Sequence, residues 1–222
     1  MNFFGHFVAD GKEGDPWHNF GLVFPDLYRD LYRSSLAQRL GAIGLIDANM
    51  KAFAEGIAKH LERDSSFHTS TYFKEAELLI KASISKFPTL AALPRQWFFV
   101  HILIELITDR VLVATYPLLA KLMYDDFRKV MAQTTYYNVL FPVSEECLLF
   151  STRLDRIQKD NYIFAYTNTF QLLQTIRHIY RKAGLVLSEQ QVEAVQDEFA
   201  TFVSILEKDE RLIWLEKSAT LT

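Results

Sequence analysis

Cysteine is almost absent: Cys147 is the only one in 222 residues, so no intrachain disulfide and no cysteine-based zinc site can form within one chain. A reducing compartment fits. The opening MNFFGHFVADGKEG carries no basic leader ahead of a long apolar run, which gives the expectation of a cytoplasmic protein. Long apolar runs are also missing. The most apolar segment, Trp97 to Val113, is interrupted by His101, Glu105, Asp109 and Arg110 and falls short of the roughly 18 clean residues of a membrane span, so it reads as a buried core helix. A formal charge of -3 supplies no general pull toward nucleic acid, whose non-specific binding depends on many Lys and Arg contacts to phosphate. Glycine-rich phosphate loops and the G-x-S-x-G elbow do not occur.

Glycine and proline are scarce, at eight and six residues, and no strict apolar/polar alternation lasts long enough to make a sheet. These features predict an all-α, single-domain compact bundle over residues 1–222, since half of the residues are hydrophobic and can bury a large core. Helices are predicted at 26–40, 42–68, 70–87, 95–115, 117–134, 144–157, 160–183 and 188–217, with prolines at helix starts or in connections. Ser188 and Gln191 form a capping-box pattern, Leu187 and Val192 suit the hydrophobic staple, and Gly184 suits a left-handed end to the preceding helix.

Five of the six histidines, His6, His18, His60, His68 and His101, lie in the first 101 residues. His60, Asp64 and His68 follow one another at four-residue steps, and so do His101, Glu105 and Asp109. On a helix each step turns a side chain by about 40° and climbs about 6 Å, so each trio forms a stripe along one face. The second stripe lies on a helix that is apolar nearly all round, from Trp97 to Val113, and such a helix should be buried. Carboxylates there need a compensating cation, and a shared metal ion supplies one. The bland alternatives stay open: His101 as a satisfied core histidine, Asp109 paired with Arg110, and His60, Asp64 and His68 on a solvated face beside Lys59, Glu62 and Arg63. Cys147 sits beside Glu145 and Glu146 and reads as structural. The aromatic pairs Phe98–Phe99 and Tyr136–Tyr137 read as core or groove lining.

In order, the N-terminal half shows Met1-Asn2-Phe3-x-x-His6, Gly21-x-x-x-x-Asp26-x-x-Arg29, and Gly56-Ile57-x-x-His60-x-x-x-Asp64 followed by Phe73. This order resembles the acyl carrier protein phosphodiesterase family, over about residues 1–110 and with a longer spacing between the second and third motifs. The resemblance implies a helical fold like that of HD-type phosphohydrolases. It implies a metal shell of His6, Asp26, His60 and Asp64 with His101, and an enzyme that releases 4'-phosphopantetheine from acyl carrier protein. Two positions differ from the family pattern: His68 stands where a carboxylate is expected, and Val100 precedes His101 where Asp is common. Glu105 and Asp109 are candidates to restore that charge.

A shell richer in imidazole favours Fe, Ni or Zn over Mn or Mg, although Mn stays among the candidates. Arg29, Arg33, Lys59 and Arg63 are candidate phosphate or substrate ligands, with solvated helix charge as their other reading. A weaker similarity, through Gly21-Leu22-Val23-Phe24-Pro25-Asp26, is to helical zinc-dependent phospholipase C enzymes, again phosphodiester chemistry. The competing function is a non-enzymatic helical protein that binds an apolar ligand or a protein partner.

Overall fold

In the computed structural model, which describes residues 3–29, 47–133, 144–159 and 162–208, every regular element is helical. The α-helices are α1 (Phe3–Asp10), α2 (Pro16–Arg29), α3 (Ala48–Thr69), α4 (Thr71–Ile84), α5 (Pro88–Ala91), α6 (Gln96–Thr115), α7 (Pro117–Met131), α8 (Ser144–Lys159), α9 (Thr169–Lys182) and α10 (Glu189–Leu206). A 3-10 helix covers Tyr162–Thr167. No strand occurs among the described residues. None of their helices is long and apolar enough to cross a membrane.

The helix ends follow local chemistry. Ser188 and Gln191 close a full capping box on α10, and Leu187 and Val192 are both buried, as a hydrophobic staple requires. Gly184 ends α9 at φ 75°, with the Leu185 amide donating to Tyr180 O and the Gly184 amide to Arg181 O, the paired bonds of a Schellman motif. Ser70 caps α4 by accepting from the Phe73 amide at 3.1 Å. Pro16, Pro88 and Pro117 each open a helix, where the missing amide proton has no cost.

Several boundaries differ from those expected. The helix expected from residue 26 begins ten residues earlier, because Asp15 accepts from the His18 amide at 3.0 Å and Pro16 takes the first helical position. Pro25 consequently lies inside α2 rather than at a helix start. The segment expected at 42–68 enters its helix at Ala48, where Asp47 accepts from the Met50 amide at 3.0 Å. Residues 160–183 are not one helix: Asn168 accepts from the Gln171 amide and starts α9 after the 3-10 helix. Helix α1 was not expected at all. The remainders of the segments expected at 26–40, 42–68 and 188–217, with Pro142, Tyr136 and Tyr137, fall outside the described residues, as does the Cys147 side chain.

The chain divides into two compact units, residues 1–65 with 116–162 and residues 66–115 with 163–222, and the first division falls inside α3. In the first unit α2 packs on α1 and α7. Its core is aromatic: Phe24 meets Phe53 edge-on at 4.9 Å and Phe150 at 5.4 Å, and Phe20 meets Phe127 at 5.7 Å. Each fully buried ring of this kind contributes roughly 1.5–3 kcal/mol of transfer free energy. In the second unit α6 packs on α4 and α9, and α10 packs on α9 and α5. Glu198 fastens α5 by accepting from the Thr89 and Leu90 amides at 3.0 Å. Trp97, expected to be buried, is 62% exposed at the start of α6, whereas Phe99, Val100, Leu103 and Ile104 are wholly buried.

Tyr72 lies within this second core, 3.0 Å from Thr108 Oγ1. Because the Thr108 hydroxyl donates to the Ile104 carbonyl at 2.8 Å, Tyr72 is the donor to Thr108. Burial pushes its phenol from 10.0 up to about 12. The folded state therefore holds the proton more tightly than the unfolded state, so this contribution to stability is full below pH 10 and decays as the pH rises through 12. Between those limits the wild type should lose about 2–3 kcal/mol more stability than Tyr72→Phe in denaturant titrations. Parallel curves for the two proteins would exclude this role for Tyr72.

Candidate metal centres

Helices α2 and α3 approach through glycine. A Cβ added at Gly21 would lie 2.3 Å from the Phe53 carbonyl oxygen, and one at Gly56 would lie 2.2 Å from that of His18. Both contacts are to backbone, so no side-chain rotation relieves them. This closeness brings the Leu22 carbonyl to 2.7 Å from His60 Nδ1. A carbonyl oxygen only accepts, so Nδ1 carries a proton, and in the neutral form of the ring the lone pair is on Nε2.

His60 Nε2 faces Asp26 Oδ1 at 3.9 Å, and the His6 ring stacks on the His60 ring with centroids 3.9 Å apart. One nitrogen or oxygen from each of His6, Asp26 and His60 falls within 4.8 Å of the others. His6 and His60 are buried, while the Asp26 side chain keeps 25% exposure. Two imidazoles and a carboxylate, with one imidazole oriented by a backbone carbonyl, fit the requirements of a divalent transition ion.

The frame around this trio rests on residues that sequence analysis passed over. Asn19 accepts from the Lys12 amide at 2.8 Å and donates to the Lys12 carbonyl at 2.8 Å, closing the α1–α2 connection. Its amide also donates to Asp126 Oδ2 on α7 at 2.7 Å. Asp126 is buried and accepts from Lys129 at 2.9 Å as well. The proximity of Asn19 to Gly21 is visible in the sequence, but its partner 107 residues away is not. His18 stands outside the trio and donates from Nε2 to the Asp10 carbonyl at 3.1 Å.

A second trio lies in the other unit. Glu105 Oε1 is 3.1 Å from His68 Nε2 and 3.3 Å from His101 Nε2, and the two rings stack nearly parallel with centroids 4.8 Å apart. Burial opposes the Glu105 charge, but hydrogen bonds from His101 and His68 hold its carboxyl well below the usual carboxylate range. Phe73 packs edge-on against both rings, at 5.0 Å from His68 and 5.3 Å from His101.

Six of the eight expected ligands thus fall into two trios, one in each unit. Asp64 and Asp109 belong to neither; Asp64 is half-buried on α3 and Asp109 is wholly buried on α6. Arg110 hydrogen-bonds the Tyr166 carbonyl at 2.7 Å and pairs with Glu207. Among the expected phosphate ligands, Arg63 forms a fork with Asp10, Nε and Nη2 each donating at 2.7 Å, and this hydrogen bonding raises its pKa further. Lys59 pairs with Glu62 at 3.0 Å on the surface. Arg33 and the Arg29 side chain lie outside the described residues.

No protein-family model, curated protein or solved structure matches this chain.

The glycine contact has a measurable signature. In an ordinary helix Gly→Ala stabilises by about 1 kcal/mol. Gly56→Ala should instead destabilise, by about 1–3 kcal/mol or more as for an overpacked core, because the methyl group meets the His18 carbonyl. Chemical denaturation decides the sign, and a more stable variant would show that the helices do not need this approach.

Proposed function

We propose that the protein is a metal-dependent phosphodiesterase whose ion is held by His6, Asp26 and His60. One observation supports this most directly: the Leu22 carbonyl engages His60 Nδ1 and so turns Nε2 toward Asp26, with His6 stacked alongside. The three residues come from the three motifs that resemble the acyl carrier protein phosphodiesterases. The all-helical architecture is compatible with the HD-phosphohydrolase-like fold implied by that resemblance.

The chemistry a divalent ion supplies at such a site is Lewis acidity, which makes a water more acidic and polarises a phosphoryl oxygen. The residues have distinct tasks. Leu22 orients His60, His6 adds a second imidazole in a dry setting, and the exposed edge of Asp26 keeps the site accessible. If the family activity holds, the bond cut joins phosphopantetheine to a carrier-protein serine, giving 4'-phosphopantetheine and apo acyl carrier protein. The second reading, a helical protein that docks an apolar ligand or partner, draws on the exposed Leu118, Leu148 and Leu149 of α7 and α8.

The test loads the full chain with Mn2+ or Zn2+, removes excess metal, and assays both a generic aryl phosphodiester and holo acyl carrier protein. Asp26→Asn and His60→Ala should each weaken metal binding by more than the roughly 10–100-fold typical of lost outer partners, and turnover should fall in parallel. Turnover that survives chelation, or metal content equal to wild type in both variants, would refute the assignment.

A further inference from the structure

The geometry points to a second, independent metal site, made by His68, His101 and Glu105, that takes a first-row transition ion such as Zn2+. The argument starts from spacing. Bonds of about 2.0–2.2 Å in a tetrahedral shell put neighbouring ligand atoms roughly 3.3–3.6 Å apart. Glu105 Oε1 already stands 3.1 Å and 3.3 Å from the two Nε2 atoms, and all three ligand atoms lie within 4.8 Å of one another. An ion can therefore enter with small side-chain adjustments.

Two features of the surroundings favour an ion over a plain hydrogen-bonded cluster. His101 and Glu105 are one turn apart on α6, so two ligands are set by a single rigid element, and His68 is delivered by the last turn of α3. Phe73 and Phe67 wall the imidazoles on the protein side, with Phe67 5.5 Å from the His68 ring, and both are buried. The His101 side chain is 40% exposed, which gives an entry path and room for a water as fourth ligand. Two imidazoles with one carboxylate and an open position suit borderline ions better than Mg2+ or Ca2+, which prefer all-oxygen shells.

Cobalt(II) is the probe, because its visible absorption reports coordination and its content is measured by elemental analysis. The full chain, stripped with chelator and titrated, should take up two equivalents. His101→Ala and Glu105→Gln should each lose one of them while retaining wild-type helix content by circular dichroism. His60→Ala should keep the intense band of a four-coordinate imidazole site. Uptake of one equivalent that His101→Ala abolishes and His60→Ala retains would support this site while refuting the one proposed for the first unit. Uptake unchanged by both His101→Ala and Glu105→Gln, or no uptake at all, would overturn the inference.

Discussion

The close backbone approach between α2 and α3 at Gly21 and Gly56 sets the rest of the first unit's site. Because neither helix carries a Cβ there, the Leu22 carbonyl reaches His60 Nδ1, and that bond turns Nε2 toward Asp26. Asp26, five residues after Gly21, and His60, four after Gly56, then face one another. The aromatic core supplies the cohesion that holds the crossing closed. Phe20 and Phe24 on α2 both pack on Phe53, one turn before Gly56. The packing term is large and non-directional, whereas the glycine contact gives it a register.

The two trios meet different physical conditions. In the first, the imidazoles are dry and stacked, and only the carboxylate retains contact with solvent. In the second, the carboxylate is the convergence point and both imidazoles are partly exposed. The second trio is preassembled by its own hydrogen bonds, which an incoming ion would replace.

Helix content was legible because 3.6-residue periodicity and scarce turn residues agree along most of the chain, and the capping signals around Ser188 and Gly184 work through neighbours a few residues apart. Helix α2 starts ten residues before the expected 26 because Asp15 caps it and Pro16 takes its first position, a start signal that lies in the sequence itself. Four-residue spacing pointed to His60, His68, His101 and Glu105, and the resemblance to His6 and Asp26, the six side chains that gather in the two trios. Their division was not legible. Residues eight apart on a helix are about 12 Å apart, so His60 and His68 cannot share one ion, and a stripe must distribute its members among different partners. Nothing local in the sequence shows that His68 meets Glu105 or that Arg63 is committed to Asp10, since these pairings depend on how the helices pack.

The α2–α3 contact turns His60 Nε2 toward Asp26, where a metal ion would meet it. Long-range 1H–15N nuclear magnetic resonance of the imidazoles, on the full chain at neutral pH before and after Zn2+ addition, reads this directly. The expected result is a proton on Nδ1 of His60, an unprotonated Nε2, and a large shift of the Nε2 resonance when zinc is added. A proton on Nε2 that persists in the presence of zinc would contradict it.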